Sequence, residues 1–168
     1  MSRVLDWDIT VPFRWTCGPV YGRFLGGLKE KQLLGFECPR CQEVYCPPQD
    51  ICPRCGGDFD PEQCRPLGEE GDLVSFTVVE ANLFGPRPDD EYLRRRIHPA
   101  DLGEHPLLWP PDPPYAIVMV RLDGAANNFL HLARGEDLSR LQVGCRMRAV
   151  WKEEREGFLL DLDRFTVL

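Results

Sequence analysis

Two copies of the tetrapeptide Cys-Pro-Arg-Cys constrain this chain more than any other feature of its sequence. The copies are separated by ten residues. Two residues between a pair of cysteines allow both sulfurs of a tight turn to point at one metal ion, and two such turns complete a tetrahedron of thiolates. The spacing therefore predicts a small zinc ribbon whose ligands are Cys38, Cys41, Cys52 and Cys55.

The predicted metal is structural, because four protein thiolates leave no position on zinc for a reactive water. Gly56 and Gly57 follow the second motif and predict a chain reversal with positive φ, at the place where Gln42 follows the first. The same four sulfurs could hold iron, which would make the module a rubredoxin-like electron carrier. A thioredoxin-like redox role would need a βαβ context, which these motifs lack.

The other four cysteines have no partner at this spacing. They are Cys17, Cys46, Cys64 and Cys145. Cys46 lies between the two motifs, and we expect it to be a bystander rather than a ligand. Cys145 falls on the apolar face of a predicted strand, so we expect it to behave as a small buried hydrophobe.

Composition and charge narrow the class of protein. The 168 residues contain no apolar run long enough to span a membrane, and the N-terminus has no apolar core of a secretory signal. We therefore expect a cytoplasmic protein with reduced thiols and no membrane partner. The net charge of −7 repels a polyanion, so we expect no nucleic-acid partner.

The chain divides into three predicted sections. Residues 1–34 form an N-terminal arm and a docking helix, residues 35–66 form the ribbon, and residues 67–168 form a barrel with a long inserted loop at 85–114. The helix is predicted over residues 19–34, where apolar side chains recur at helical spacing. Its glycines disfavour an isolated helix, so it needs contacts with other parts of the chain or with a partner. The side chains predicted to meet a partner are Tyr21, Phe24, Leu25 and Leu28.

The third section is predicted to be all β. About five short strands with alternating apolar residues, and one helical turn before the fourth, fit an antiparallel barrel of the OB-fold type. The predicted fold class is thus mainly β, with an N-terminal helix, a rubredoxin-like zinc ribbon and a C-terminal OB-fold barrel. The barrel strands carry only a sparse version of a nucleic-acid stacking platform, formed by Phe129, Arg146, Arg148 and Trp151.

No catalytic constellation stands out in the sequence. His131 lies on a predicted strand and is interpreted as a barrel residue rather than a base. The basic cluster of Arg94, Arg95 and Arg96 is the candidate for holding the phosphates of a bound CoA. The alternative is an exposed patch that balances the acidic residues 89–91 just before it.

The order of these parts resembles the acyl-CoA-associated zinc-ribbon/OB-fold family, long described only as a domain of unknown function. The segments that carry the resemblance are VYGRFLGGLKEKQLLGFECPRC, PPQDICPRCGG, GDLVSFTVVE, PPYAIVMVRLDG and LQVGCRMRAVW, within residues 15–168. The resemblance implies a noncatalytic accessory subunit with a structural zinc. Its partner would be a thiolase-family or related acyl-CoA enzyme, and the subunit would help to hold the acyl-CoA.

Among subunits of this family, the sequence is similar to the small subunits of thiolases in anaerobic aromatic degradation. Two other functions stay open at this point. One is a single-stranded nucleic-acid-binding protein built from a zinc ribbon and an OB fold. The other is the rubredoxin-like electron carrier.

Overall fold

The regular structure of the described residues, 16–81 and 112–168, in the computed structural model consists of one α-helix, eight strands and two short 3-10 helices, Gly135–Arg140 and Leu159–Asp161. The helix α1 spans Gly18–Lys29, and the strands are β1 (Leu33–Glu37), β2 (Val44–Tyr45), β3 (Cys64–Leu67), β4 (Glu70–Val79), β5 (Tyr115–Leu122), β6 (Phe129–Arg134), β7 (Arg146–Trp151) and β8 (Leu162–Val167). Residues 1–15 of the predicted N-terminal arm, and all but the last residues of the predicted loop at 85–114, lie outside the described residues. Within the described part of the chain, no helix is long and apolar enough to cross a bilayer.

Helix α1 is shorter than the sequence predicted. It ends at Lys29, and the last residues of the predicted helix, Leu33 and Leu34, belong to strand β1. Lys31 has a φ of 58°, and the amide of Gln32 donates to the carbonyl of Gly27 at 2.8 Å. A left-handed residue with this backbone bond is a Schellman termination, which reverses the chain sharply after the helix. The prediction of a helix to residue 34 was therefore wrong at its C-terminal end.

The apolar stripe of α1 packs inside this chain. Phe24 and Leu28 have no exposed surface, and the ring of Phe24 lies 6.2 Å from that of Phe129 in β6. Neither side chain is accessible to a partner, so the prediction that these two form a docking interface was wrong. Tyr21 and Leu25, the other two predicted interface residues, are only partly buried.

The ribbon is a three-stranded antiparallel sheet in the order β2-β1-β3. Strand β1 is central and almost wholly buried, although the sheet is only a few residues deep. A Cβ atom at Gly35 would lie 2.7 Å from Val44 and 2.9 Å from Leu67, so this glycine lets the side chains of both outer strands close over β1. Such a small sheet has little core of its own, and it depends on what lies at its tip.

The remaining strands form a five-stranded antiparallel sheet in the order β6-β5-β4-β7-β8. Its two outer strands face one another, because the rings of Phe129 and Phe165 meet edge to face at 5.9 Å and Arg134 forms an ion pair with Asp163. This order, with its ends brought together, is that of a partly open OB-type barrel. The predicted fold class is confirmed.

The ribbon and the barrel are joined by the turn between β5 and β6. The amide of Ala126 donates to the carbonyl of Val44 at 2.7 Å. The side chain of Asn127 accepts from the amide of Cys46 at 2.8 Å and donates to the carbonyl of Pro47 at 2.9 Å. Because Asn127 uses both ends of its amide group, it fixes the ribbon segment after β2 against the barrel.

Strand β4 needs glycine where it meets β5. A Cβ atom at Gly71 would lie 2.3 Å from the backbone oxygen of Arg121, and backbone in a paired ladder cannot move aside easily. We therefore predict that Gly71→Ala lowers the free energy of unfolding by about 1–3 kcal/mol, the usual cost of overpacking. Urea denaturation measures this change. Gly68→Ala is the matched control, since a Cβ there meets nothing within 4 Å, and an equal loss in both variants would contradict the explanation.

His131 lies on the buried side of β6, between aromatic rings. Its Nε2 atom lies 3.3 Å from the carbonyl oxygen of Leu159, and its buried Nδ1 atom has no hydrogen-bond partner. Burial lowers the pKa of His131 below its ordinary value, an effect that the contact with Leu159 only partly opposes. The imidazole is therefore neutral in the folded protein, and its environment is that of a core residue.

This histidine makes stability depend on pH. Because its pKa is lower in the folded state than in the unfolded chain, where it is about 6.5, the unfolded state binds the proton more readily. We predict that stability falls as pH drops below about 6.5, and that His131→Phe removes this part of the dependence. Urea denaturation of both proteins between neutral and mildly acidic pH tests it. Parallel pH profiles would show that another group is responsible.

Candidate metal centre

The four cysteines of the two Cys-Pro-Arg-Cys motifs converge on one point. Their sulfur atoms all lie within 4.8 Å of one another, and this is the one such metal-ligating cluster among the described residues. The Sγ atoms of Cys38 and Cys55 are 3.4 Å apart, and those of Cys41 and Cys52 are 3.6 Å apart. Four sulfurs at about 2.3 Å from zinc stand roughly 3.8 Å apart in a tetrahedron, so the spacing fits a tetrathiolate site. A disulfide would need about 2.05 Å.

The two motifs fold into matching turns. In the first, the amide of Gln42 donates to the carbonyl of Cys38 at 2.8 Å, and in the second Gly56 makes the same bond to Cys52 at 2.9 Å. Gln42 and Gly56 have φ angles of 61° and 67°. The predicted positive φ is thus present at Gly56 but not at Gly57, whose need for glycine has another cause: a Cβ there would lie 2.7 Å from the side chain of Arg40.

Backbone amides surround the sulfurs. Burial raises the pKa of Cys52, but amide hydrogen bonds from Cys55 and Arg54, together with the neighbouring thiols, outweigh it and bring that pKa to about 6. The pKa of Cys38 is lowered for the same reasons, with amides of Cys41 and Arg40 as donors. Amides of Glu43 and Gly57 act in the same direction on Cys41 and Cys55, but burial and the neighbouring thiols outweigh them and raise the pKa of both thiols. Amide donors aimed at sulfur stabilise thiolate, which is the form that binds a metal. The donor set, its spacing and its amide shell all fit zinc.

The remaining described cysteines lie away from this cluster. Cys46 is buried, burial raises the pKa of its thiol to about 12, and its backbone is held by Asn127. Its environment stabilises a neutral thiol rather than a ligand. Cys145 is only partly buried, less than the sequence predicted, and Cys17 is exposed.

Other residues singled out in the sequence are not part of this centre. The proposed CoA contacts Arg94, Arg95 and Arg96 lie outside the described residues. Two contacts were missed by sequence reasoning: Arg40 and Arg54 each reach from one turn to the other. The repetition of arginine at the same place in both motifs was the signal that could have pointed to them.

Comparison with known proteins agrees with this geometry. Residues 26–62 match the family described as ChsH2, rubredoxin-like zinc ribbon domain. A protein of unknown function from the DUF35 family of Sulfolobus solfataricus has a TM-score of 0.58 at 18% identity, with 90% of this chain and 87% of that chain covered. The chain has the DUF35 fold and carries a ChsH2-type zinc ribbon. The predicted resemblance to a zinc-ribbon/OB-fold family is thereby confirmed.

A second structure with the DUF35 fold is a chain of the Ltp2-ChsH2(DUF35) aldolase. It has a TM-score of 0.52 at 20% identity, with 86% of this chain and 93% of that chain covered. No curated protein matches the sequence.

The ligand set can be tested by exchanging cysteines. Cys52→Ser removes one of four thiolates, so we predict loss of bound zinc and unfolding of the ribbon, because structural zinc supplies folding energy directly. Cys46→Ser is the control and keeps one zinc per chain. Elemental analysis of the purified variants, with circular dichroism, measures both effects. Loss of zinc from Cys46→Ser alone would show that the ligand set is mistaken.

Proposed function

We propose that this chain is a noncatalytic accessory subunit of an acyl-CoA-processing complex, in which another chain carries the catalytic residues. The observation that supports this most is the fold shared with a chain of the Ltp2-ChsH2(DUF35) aldolase, a protein that is named for two components. The ChsH2-type ribbon at residues 26–62 supports the same assignment. Four thiolates would close the metal's coordination sphere, so the ribbon suits a structural role.

The chemistry of the described residues suits a scaffold. Arg146 in β7 lies 3.0 Å from Asp72 and 2.6 Å from Asp123, and Arg148 lies 2.6 Å from Glu70. These charged side chains on the barrel surface are thus paired with one another. His131 is buried in the core, and burial lowers its pKa, which suits a structural rather than a catalytic role.

The same ion pairs bear on the nucleic-acid alternative. That alternative rested on a platform in which Arg146, Arg148 and Trp151 would meet a strand of bases and phosphates. In the structure both arginines are paired with carboxylates, and the Trp151 indole donates to Glu69 at 2.7 Å. An acidic surface repels phosphate, so this face no longer favours the alternative.

We propose a thiolase-family enzyme as the partner, in the cytoplasm, with degradation of aromatic compounds as the pathway. The subunit would stabilise the enzyme and help to hold the acyl-CoA. Arg94, Arg95 and Arg96 stay the predicted contacts for the CoA phosphates. Titration of the complex with CoA, for the native chain and for a variant in which all three arginines are alanine, tests the CoA contacts separately from complex formation.

The exposed side of α1 is the proposed docking surface. Tyr21 and Leu25 lie at its border with the core, and a Cβ atom at Gly26 would meet nothing within 4 Å. A glycine on an open helix face allows the backbone of a second chain to come close. We therefore still propose α1 as the docking helix, with Tyr21 and Leu25 as the remaining contact residues.

This surface leads to a mutational prediction. Replacing Tyr21 and Leu25 by alanine should weaken binding to a thiolase-family protein encoded beside this chain by about tenfold or more, as expected for partly buried anchors. Isothermal titration with the purified enzyme measures the affinity. Val143→Ala, at a residue that is 68% exposed and outside the helix, is the control. Equal affinity of all three proteins would place the interface elsewhere, and turnover of acyl-CoA by this chain alone would contradict the accessory role.

Iron is the second candidate occupant, because four thiolates at this spacing also suit a rubredoxin-like centre. Absorption of the aerobically purified protein distinguishes the two metals. A colourless protein with one zinc per chain supports the structural assignment. A red protein that is bleached by a reductant would support electron transfer instead.

A further inference from the structure

Each arginine of the two Cys-Pro-Arg-Cys motifs reaches across to the opposite turn. The Nη1 atom of Arg40 donates to the carbonyl oxygen of Cys55 at 3.2 Å. Its side chain passes over Gly57, where any Cβ atom would lie 2.7 Å from the arginine Cδ. The second turn is thus shaped to accept a side chain from the first.

The reverse contact is made by Arg54. It forms an ion pair with Glu43, which follows the first turn, and the other oxygen of Glu43 accepts from the hydroxyl of Tyr45 at 2.9 Å. The backbone amide of Glu43 is in turn directed at the sulfur of Cys41. A residue that orients a sulfur is therefore held by an arginine from the opposite turn.

We propose that Arg40 and Arg54 are positioning residues that clasp the two turns and slow the release of the metal. For a metal held by two separate turns to leave, the turns must move apart. Two contacts made in opposite directions resist that movement while touching neither the ion nor its ligand atoms. The proposal rests on the assignment of Cys38, Cys41, Cys52 and Cys55 as ligands.

A simpler role for the arginines is to balance charge, since four thiolates and one divalent ion leave two negative charges. The two roles differ at Glu43. If only charge mattered, this carboxylate would weaken the site, and its removal would make metal release slower. If the clasp matters, removal of Glu43 leaves Arg54 without its partner and makes release faster.

The experiment measures the rate at which zinc passes from the full-length protein to an excess of the chromogenic chelator 4-(2-pyridylazo)resorcinol. We expect Arg40→Ala, Arg54→Ala and Glu43→Ala each to release zinc about three to ten times faster than the native chain, a range that fits contacts exposed to solvent. Arg54→Ala combined with Glu43→Ala should be no faster than either alone, because both remove one interaction. Arg65→Ala, in β3 of the same ribbon and outside both turns, is the matched control.

Three results would overturn the clasp: release rates equal to that of Arg65→Ala, slower release from Glu43→Ala, or full additivity of Arg54→Ala and Glu43→Ala. If an alanine variant does not fold, Arg40→Lys and Arg54→Lys replace it. Lysine keeps the charge but not the fixed fork of guanidinium, so native release rates from both would equally reject the clasp. A native protein that contains no zinc would instead reject the metal assignment itself.

Discussion

The convergence of four sulfur atoms is the constraint on which the rest of the ribbon depends. Cys38, Cys41, Cys52 and Cys55 come from two separate turns, and no covalent bond joins them. Without a metal, the tip of this sheet would hold four thiols side by side with little apolar core around them. A bound divalent ion would stabilise the folded ribbon, because the ligands come together only in the folded state and the free energy of metal binding then adds to the free energy of folding.

The ribbon is linked to the barrel by contacts away from the metal ligands. Asn127, in the turn between β5 and β6, holds the backbone at Cys46 and Pro47, in the segment between β2 and the second Cys-Pro-Arg-Cys turn. Arg155 donates to the carbonyl of Lys29 at 3.0 Å and so ties the end of α1 to the segment before β8. The helix, the ribbon and the barrel are therefore connected by polar contacts as well as by the core around Phe24. These contacts hold the three parts in one fixed arrangement.

Sequence reasoning succeeded where local spacing decides the structure. The convergence of the four cysteines, the positive φ at Gly56 and the alternating apolar residues of the barrel strands follow from interactions within a few residues. Sequence-based prediction failed where contacts between distant parts of the chain determine the structure. Nothing near Phe24 shows that a ring from β6 will cover it, and a lysine at the left-handed position 31 is an unusual helix stop.

Four converging thiolates imply a bound metal that is enclosed by sulfur and has no open coordination position. X-ray absorption spectroscopy at the zinc edge of the purified protein tests this directly, because it counts the neighbouring atoms and measures their distances. We predict four sulfur neighbours at about 2.3 Å and no oxygen or nitrogen neighbour. Three sulfur neighbours with one light atom would reveal a coordination position that is open to water or substrate. That result would contradict the structural role and would indicate that this chain itself can carry out metal-assisted catalysis.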